Sequence, residues 1–414
     1  MVLLFGVTYA IKDQGIGIMS FTRMMDGNEA AAWGAKLSRA EVIPVYPITP
    51  QTELVNHIGA LIAEGKFDAR YIKVEGEHSA MGAAIGASAT GARVFTASAS
   101  QGIAFMEEGL CMAPGLRLPI VMCMVNRALA PLGSLQPDHN DSLMQRDNGW
   151  IQLYCENSQE VVDTIIQAYK IAEDPRIYLP VAVCFDGYAV SATAIPTNIL
   201  DQEKVDKYLP PYRHEQYSLV PEEYRTPPVR RDWAQLRYEM EESHQTAKQV
   251  IEDVDKEFGE RFGRSYGGLV EQYQCEDVDA VLIAMGSMNG TGKDAVDIIQ
   301  ENGKRVGLVK LRSFRPFPSE EIQEIAAKVK AVGVIDRNNS FGSAGGGAVA
   351  LEIARAVYEM DDRPLLLDFH VGLAGTDVTI THFEYMAGQC MEAIKKGKVE
   401  KKVDWVDLHS LGGI

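Results

Sequence analysis

Short, continuously apolar runs alternate with helix-like stretches through the first half of the chain. The apolar runs are EVIPVY (41–46), ARVFTA (92–97), PIVMCMV (119–125) and YLPVAVCF (178–185). The stretches with helical spacing lie at 27–39, 50–65, 78–91 and 158–174. A strand that is apolar along its whole length is buried on both faces, which is typical of parallel strands covered by helices. The alternation therefore predicts a doubly wound α/β domain.

The same alternation returns after a break. Residues 195–228 are rich in proline and lack periodicity, so we expect a connector there, followed by an exposed helix at 230–262. Further strands are predicted at 279–287, 305–311, 331–337 and 364–370, with helices at 290–303 and 319–330, the latter capped by Ser319. These patterns predict an N-terminal extension (1–18), a first domain (19–225), a helical linker (226–270) and a smaller α/β domain (271–414).

Charge and cysteine usage exclude several classes of protein. The formal net charge of −17 is opposite to what phosphate backbones attract, so nucleic acid is not an expected partner. None of the six cysteines lies in a CxxC pair, so we expect neither a zinc site nor an iron–sulfur cluster on this chain. Scattered free thiols suit a reducing cytoplasm. The apolar start, MVLLFGVTYA, is too short to span a bilayer, and we expect no membrane segment.

Two glycine-rich segments resemble phosphate-binding loops but depart from the required spacing. In GSMNGTGKD (286–294), Ser287 stands where a phosphate loop has its first glycine, and Asp294 follows the lysine instead of Ser or Thr. The segment at 342–357 lacks the GxGxxG spacing of dinucleotide-binding turns. An enzyme that uses ATP or NAD would need such loops, so these classes are disfavoured, and 342–357 is interpreted as a tight entry into a helix.

Polar residues directly follow two of the predicted strands. Thr49, in VYPITPQTEL, is interpreted as the N-cap of a helix with Pro50 in its first turn, and helix N-termini favour anions. Arg127, in VNRAL, follows the apolar run 119–125, where its guanidinium can hold a carboxylate by two hydrogen bonds. Ligands of open α/β sheets bind at the carboxyl ends of the strands. We therefore predict an anion site formed by Thr49 and Arg127.

Two acids, Glu75 and Glu77, precede a run made mostly of Ala, Gly and Ser at 78–102. Small side chains cost core packing but allow a flat ring or another backbone to approach closely. A second polar segment, 137–150, contains Asp138, His139, Asp141, Arg146 and Asp147. Metal ligation is one interpretation of that segment, but we expect a hydrogen-bonded loop or a contact with another subunit.

Together these motifs resemble those of the 2-oxoacid:ferredoxin oxidoreductases, specifically the α subunit of multi-subunit pyruvate:ferredoxin oxidoreductases (pyruvate synthases). In the first half the resemblance rests on YPITP (46–50), EGEHSAMGAAIGASATGARVFTASASQG (75–102), VNRAL (125–129), DHNDSLMQRDNGWIQL (138–153) and LPVAVCFDGYAVS (179–191). In the second half it rests on MGSMNGTGKDAVD (285–297), KLRSFRPFPSEEI (310–322) and VIDRNNSFGSAGG (334–346). The resemblance covers about residues 20–400.

The resemblance implies the fold and the roles of particular residues. The first domain would be the pyrimidine half of a thiamine-diphosphate-binding fold, and the second a transketolase C-terminal-like domain. Glu77 matches the family's catalytic glutamate facing N1′ of the aminopyrimidine, where a carboxyl group can share a proton with the ring, and Ile48 is a further contact to the cofactor. Thr49 and Arg127 match the substrate-side residues that bind the 2-oxoacid carboxylate. Glu75 aligns less well and is interpreted as structural.

The resemblance also implies partners. The family's diphosphate motif is a GDG, which this chain lacks, so a β subunit is expected to supply the diphosphate half of the site and its Mg²⁺. The [4Fe–4S] clusters are expected on partner chains, including γ and δ (ferredoxin-like) subunits, with ferredoxin as electron acceptor and coenzyme A as cosubstrate. No metal ligand is predicted on this chain. The expected product from pyruvate is acetyl-CoA.

The identity of the 2-oxoacid stays open at this point. One arginine with a threonine suits a monocarboxylate such as pyruvate, whereas 2-oxoglutarate or oxalate would favour a second cation, and VYPITPQT offers none. A 2-oxoisovalerate enzyme is an alternative, because side-chain pocket residues are not legible in the sequence. A non-catalytic scaffold subunit is the alternative from another class, and the joint presence of Glu77, Thr49 and Arg127 argues against it.

Overall fold

The structure is a computed structural model, and it describes residues 20–130, 133–215, 218–225 and 232–411. The extension predicted at 1–18 lies outside the described residues. In chain order the strands are β1 (Phe21–Met25), β2 (Val42–Val45), β3 (Arg70–Lys73), β4 (Phe95–Ser98), β5 (Val121–Asn126), β6 (Ile151–Cys155), β7 (Val181–Asp186), β8 (Ile195–Ile199), β9 (Val270–Tyr273), β10 (Ala280–Ala284), β11 (Val306–Leu311), β12 (Ser313–Arg315), β13 (Ala331–Asp336), β14 (Leu365–His370) and β15 (Val403–Trp405).

Thirteen α-helices connect these strands within the described ranges. They are α1 (Gly27–Leu37), α2 (Thr52–Ala63), α3 (Glu77–Ala89), α4 (Ser100–Phe105), α5 (Glu107–Gly115), α6 (Asn140–Leu143), α7 (Ser158–Ala172), α8 (Gln202–Tyr208), α9 (Trp233–Phe262), α10 (Met288–Glu301), α11 (Ser319–Ala326), α12 (Ala348–Val357) and α13 (Ile380–Lys396). Side-chain caps fix several starts: Asp26, Asn157 and Asp232 each accept a backbone N–H of the first turn of α1, α7 and α9. Gly263, in the left-handed conformation, ends α9.

The first sheet has the order β12-β6-β7-β5-β4. The pairs β4–β5, β5–β7 and β6–β7 are parallel, and β12 joins β6 in the antiparallel sense. A parallel bridge between Val42 and Val94 continues this sheet to the parallel pair β2–β3. The prediction of a doubly wound parallel sheet is confirmed. Because the long strands are parallel, β2, β3, β4, β5 and β7 all end at the same edge, and the segments that carry Thr49, Glu77 and Arg127 leave the sheet there.

The second sheet has the order β15-β14-β13-β10-β11-β9 and is parallel except for β9. From β10 the chain moves outward to β11 on one side, and β13, β14 and β15 then build the other side. The strand order therefore reverses between β10 and β13. In open α/β sheets this reversal opens a crevice at the carboxyl ends of the two strands, where ligands usually bind.

Three apolar layers hold the sheets and helices together. One face of the first sheet packs against α1, α2, α7 and the second half of α9. The opposite face shares a layer with α3, α5, α11, α12 and one face of the second sheet. The other face of the second sheet is covered by α10 and α13. The middle layer draws on both halves of the sequence, so the two sheets are packed as one body.

Polar contacts reinforce the junction between the sheets. Lys310, on β11, is buried and donates to Glu160 of α7 at 2.7 Å, with Glu156 and Glu271 at 3.4 Å. These three carboxylates raise the pKa of Lys310 in spite of the opposing effect of its burial. A buried ammonium is stable only when it is paired, so the lysine ties β11 to the first sheet's helix layer.

Several predicted boundaries are wrong. The connector expected at 195–228 contains β8, which pairs antiparallel with β1, and the helix α8. Both elements lie at the periphery of the first domain and are only partly buried. Their sequences therefore show little of the apolar periodicity on which the prediction depends. Ser319 is the first residue of α11, not its N-cap, because Pro318 occupies the capping position, and the helix ends at Ala326 instead of 330.

The remaining motifs from the sequence have structural explanations. Lys293, in the discounted phosphate-loop segment, binds Glu156 at 3.0 Å and Glu271 at 2.9 Å. The glycine-rich segment enters α12 directly. All six cysteines are free: four are buried, Cys275 is half-buried and Cys111 is exposed. Over the part of the chain that the structure describes, no helix is long and apolar enough to cross a membrane.

Candidate active site

Glu77 occupies a buried position at the carboxyl edge of the first sheet. It is the first residue of α3 and is only 7% exposed. Its carboxylate lies over Gly102, since a Cβ built on Gly102 would fall 2.5 Å from Oε1 and 2.9 Å from Cδ of Glu77. The same Cβ would also collide with the Ser98 hydroxyl oxygen, which is buried and has no hydrogen-bond partner among the described residues. A carboxylate and an unpartnered hydroxyl therefore share one small space.

Glu75 has a different environment. It is exposed, and its Oε1 accepts a hydrogen bond of 2.6 Å from the Ser79 hydroxyl. This bond holds the pKa of Glu75 below its usual range. The side chain thus interacts with the first turn of α3 from solvent, whereas Glu77 is turned into the fold. Of the two acids that precede the small-residue run, only Glu77 faces a protected site.

The segment after β2 is a turn and not a helix cap, so the predicted capping role of Thr49 is wrong. The Gln51 N–H donates to the Ile48 carbonyl at 2.8 Å, and the Gln51 side chain accepts from the Ile48 N–H at 3.1 Å. The Thr49–Pro50 peptide bond is cis, as in turns with proline at the third position. Helix α2 begins only at Thr52, with Gln51 as N-cap. Thr49 is exposed at the tip of this turn, and Ile48 is half-buried beside it.

Arg127 lies where the sequence predicted, directly after β5. Its Nη1 donates to the Thr49 carbonyl at 3.0 Å and its Nε to the Ser134 carbonyl at 3.0 Å. The structure therefore brings together the two residues predicted to bind an anion. Within the described ranges the Nη2 group of Arg127 makes no hydrogen bond, so the outer end of the guanidinium retains donors for a carboxylate.

The acidic segment 137–150 is a hydrogen-bonded loop, as expected, and its acidic and histidine side chains diverge to separate partners. Asp141 is fully buried and accepts from the backbone N–H groups of Ser100 and Arg127, each at 2.9 Å, and from the Asn126 amide at 2.9 Å. Burial raises its pKa to about 6 in spite of these bonds. Asp138 caps the N–H of Asn140 instead. Across the described ranges no group of three or more His, Cys, Asp or Glu side chains is arranged to hold a metal ion.

His139 projects from the same loop into the crevice of the second sheet. Its Nε2 lies 2.8 Å from Asp186, the last residue of β7, and Asp186 also accepts from the Ser287 N–H at 2.7 Å and pairs with Arg337 at 3.2 Å. Burial opposes ionisation of Asp186, but the Arg337 guanidinium and the hydrogen bonds from His139 and Ser287 hold its pKa well below its usual range. Ser287 and Arg337 follow β10 and β13. The crevice of the second sheet, where ligands usually bind, is therefore filled by Asp186 from the first sheet and by His139 from the loop 137–150.

The structure adds three residues that sequence reasoning did not assign to the site. Gly102 and Ser98 surround the Glu77 carboxylate, and Asp141 connects the turn after β4 to Arg127. Ser98 and Gly102 lie in ASASQG, the end of the small-residue run, so the sequence did contain a signal. Asp141 could not be recognised in this way, because its partners come from three separate segments.

The outer face of α3 is unusually bare. Gly82 and Gly86 are exposed, and a Cβ on either would meet nothing within 4 Å. The neighbouring exposed side chains Ile72, Phe105 and Met112 are large and apolar. A glycine face flanked by exposed hydrophobic residues, next to the Glu77 site, allows close approach of another chain.

Comparisons with known proteins identify both halves of the chain. Residues 33–258 match the family model described as pyruvate flavodoxin/ferredoxin oxidoreductase, thiamine diphosphate-binding. Residues 278–383 match the model described as pyruvate:ferredoxin oxidoreductase core domain II. The recognised segments thus cover most of the two sheets.

Curated relatives match over nearly their full length. The ketoisovalerate oxidoreductase subunit VorA of Pyrococcus horikoshii is 46% identical over 93% of this chain and 98% of its own. The pyruvate synthase subunit PorA of Pyrococcus abyssi is 43% identical over 94% and 99%. PorA of Methanocaldococcus jannaschii is 45% identical over 87% and 93%.

Solved structures share the fold at low sequence identity. A 2-oxoglutarate:ferredoxin oxidoreductase from Magnetococcus marinus superposes with a TM-score of 0.67 at 20% identity, over 90% of this chain and 65% of that chain. A split-gene transketolase, in an inactive β4 tetramer, gives a TM-score of 0.52 at 13% identity, over 88% and 98%. From the family models and the relatives together, the chain belongs to the 2-oxoacid:ferredoxin oxidoreductase family of thiamine diphosphate enzymes, as a subunit of the PorA and VorA type.

Proposed function

We propose that this chain supplies the aminopyrimidine-facing half of a thiamine diphosphate site that is completed by a partner β subunit. The observation that carries the proposal is the buried Glu77 carboxylate over Gly102, with the unpartnered Ser98 hydroxyl beside it. These groups fit the ring end of the cofactor, because a buried carboxyl group can share a proton with a ring nitrogen. Half-buried Ile48, at the same edge of the sheet, is the further proposed contact.

The diphosphate end has no counterpart in this sequence, which contains no GDG. Its Mg²⁺ therefore belongs to the partner in this proposal, as do the [4Fe–4S] clusters, for which the six scattered free cysteines offer no motif. When bound, thiamine diphosphate supplies the carbon nucleophile and the electron sink for cleavage of a 2-oxoacid. The bare face of α3, with Ile72, Phe105 and Met112, is the proposed docking surface for the β subunit.

The substrate's carboxylate is proposed to bind at Arg127 and Thr49. Arg127 lies at the same edge of the sheet as Glu77. The hydrogen bond from its Nη1 to the Thr49 carbonyl holds the turn at 48–51 beside the guanidinium. Arginine pairs with carboxylates through two parallel bonds. The tip of the turn carries no second cation, which suits a monocarboxylate. We expect pyruvate to be the substrate, with 2-oxoisovalerate as the alternative.

The complete reaction then consumes a 2-oxoacid, coenzyme A and two oxidised ferredoxins. It yields acyl-CoA, CO₂, one proton and two ferredoxins that are each reduced by one electron. In this proposal the cofactor, coenzyme A and the γ and δ subunits come together with this chain in one cytoplasmic assembly. This chain alone is expected to be inactive. Relatives named for pyruvate and for ketoisovalerate are similarly close to this chain, so the kinetic comparison of the two 2-oxoacids decides between them.

The test is Glu77→Gln in the reconstituted complex, with Glu75→Gln as the matched control. We expect the Glu77 variant to assemble and to lose 2-oxoacid-dependent ferredoxin reduction by about 100-fold or more, the range of general acid–base catalysis. The Glu75 variant should keep near-normal turnover. Equal turnover of the Glu77 variant and the wild type would refute the proposal.

A second experiment tests the substrate side. Arg127→Ala should raise the KM for the 2-oxoacid by about 10- to 100-fold, because charge-assisted hydrogen bonds contribute about 1.5–3 kcal/mol. The ratio of kcat/KM for pyruvate, 2-oxoisovalerate and 2-oxoglutarate identifies the substrate. A preference for 2-oxoglutarate would contradict the assignment of a monocarboxylate.

A further inference from the structure

One buried carboxylate holds together the segments that carry the proposed site. Asp141 receives four hydrogen bonds: Oδ2 accepts from the N–H groups of Ser100 and Arg127, each at 2.9 Å, and Oδ1 accepts from the Asn126 amide at 2.9 Å and the Ser142 N–H at 2.8 Å. The donors come from the turn after β4, the end of β5 and the start of α6. Each oxygen of the carboxylate thus accepts two hydrogen bonds, and all four donors are backbone N–H or side-chain amide groups.

The bond to Ser100 fixes the turn on which Glu77 depends. Ser100 has φ of +50°, a conformation that costs a non-glycine residue about 1–2 kcal/mol and needs support from its surroundings. The support comes from Asp141, on its N–H, and from the Ala128 carbonyl, which accepts from its hydroxyl at 2.7 Å. Gly102, two residues later, is the surface against which the Glu77 carboxylate rests.

The bond to Arg127 fixes the other side of the site. The same oxygen, Oδ2, accepts both the Ser100 N–H and the Arg127 N–H, so the two backbones are held at a distance set by one atom. The Arg127 side chain then extends to the Thr49 carbonyl. No substrate contact is required of Asp141, which is fully buried beneath both segments.

We propose that Asp141 is a positioning residue that sets the distance between the Glu77 carboxylate and the Arg127 guanidinium. This inference rests on the proposed function, since it assumes that Glu77 and Arg127 act on the two ends of one reacting complex. Reactions in such sites are sensitive to geometry, and a displacement of about 1 Å can cost about 100-fold in rate.

Asp141→Asn tests this role at nearly constant volume. An asparagine has one acceptor oxygen and one NH₂ group, so in either orientation its NH₂ faces two donors. One of the two pairs, Ser100 with Arg127 or Asn126 with Ser142, must then move apart. In the assembled complex we expect kcat/KM for the 2-oxoacid to fall about 100-fold, through a lower kcat and a higher KM together. Asp147→Asn, in the same loop but exposed, should retain both constants.

A double-mutant cycle separates positioning from a loss of stability. Because Asp141 acts on KM through Arg127, the rise in KM caused by Asp141→Asn should disappear in an Arg127→Ala background, while the fall in kcat persists. If Asp141→Asn does not assemble, Asp141→Ser, which leaves room for water at the four donors, takes its place in the same cycle. A variant with a lower Tm but with kcat and KM within twofold of the wild type would overturn the inference.

Failure of this inference and failure of the proposed function give different results. If Glu77→Gln retains turnover, the proposed function itself falls. If Glu77→Gln is inactive and the Asp141 variants are kinetically normal, only the positioning role is wrong.

Discussion

Replacement of Gly102 by alanine tests the geometry around Glu77 with a single methyl group. Carbon atoms pack at roughly 3.5 Å, whereas the new Cβ would lie 2.9 Å from Cδ of Glu77 and 2.5 Å from its Oε1. The carboxylate would therefore have to retreat by about 0.6 Å or more, which is the difference between the ordinary contact distance and the Cδ distance. A displacement of this size in a positioned catalytic group predicts a fall in kcat of about 10- to 100-fold.

Helix propensity does not account for such a loss. Gly102 lies inside α4 and its φ is outside the left-handed region, so alanine suits its backbone and favours the helix by about 1 kcal/mol. Gly59→Ala is the matched control, because Gly59 lies within α2 and a Cβ there meets nothing within 4 Å. The two variants make the same chemical change in two helices, and only one of them touches Glu77.

The assay is 2-oxoacid-dependent reduction of a viologen dye by the assembled complex, with Tm measured in parallel. We expect Gly102→Ala to assemble with a Tm near that of the wild type and to show the reduced kcat, and Gly59→Ala to show normal kinetics. If the Gly102 variant turns over within twofold of the wild type, Glu77 does not need its observed position, and the reasoning that assigns it the ring-facing role is refuted.

Two further predictions concern stability. Lys310→Met removes the nearer cation of buried Glu160, at 2.7 Å, and leaves only Arg312 at 3.5 Å, so it should lower the free energy of unfolding by about 3 kcal/mol in chemical denaturation, whereas exposed Lys304→Met should change it little. The second prediction concerns Asp141, whose folded-state pKa is about 6 against an ordinary value of 3.8. The folded protein therefore binds this proton more tightly than the unfolded chain. The resulting stabilisation is fully present below about pH 4 and is lost as the pH rises through 6. Between these limits the wild type should lose about 3 kcal/mol relative to Asp141→Asn, and parallel pH profiles of the two proteins would contradict the assignment.

The sequence predicts most of the long strands whose burial is uniform, but it misses β6, which is buried along its whole length, because Gln152 and Tyr154 interrupt its apolar run. The apolar runs of β2, β4, β5 and β7 are visible because both faces of each strand are covered. In contrast β3 reads Arg70–Lys73, lies at an edge of its sheet and is largely exposed, so it carries no apolar signal. The three residues of β12 are too few to show a period, and their pairing with β6 is set by packing between distant segments.

The candidate site divides in the same way. Arg127 could be placed from sequence because it directly follows an apolar strand, and the carboxyl ends of parallel strands meet at one edge. Glu77 was identified by the resemblance of its motif, since β3, which precedes it, carries no apolar signal. Thr49 was misjudged as a cap, because the Gln51 side chain closes a local turn that precedes the helix. The partners of Asp141 lie up to 41 residues away along the chain, so no local pattern could reveal its role.

The short strand β12 has a mechanical consequence. It belongs by sequence to the second sheet's half of the chain, yet it forms the edge strand of the first sheet, beside β6. Rotation of one sheet against the other about α9 would have to break the β12–β6 hydrogen bonds and expose the shared apolar layer. Over the residues that the structure describes, the two sheets are therefore joined as one rigid body, and we expect any opening needed to admit or release reactants to occur in the partner chains or at the interfaces with them.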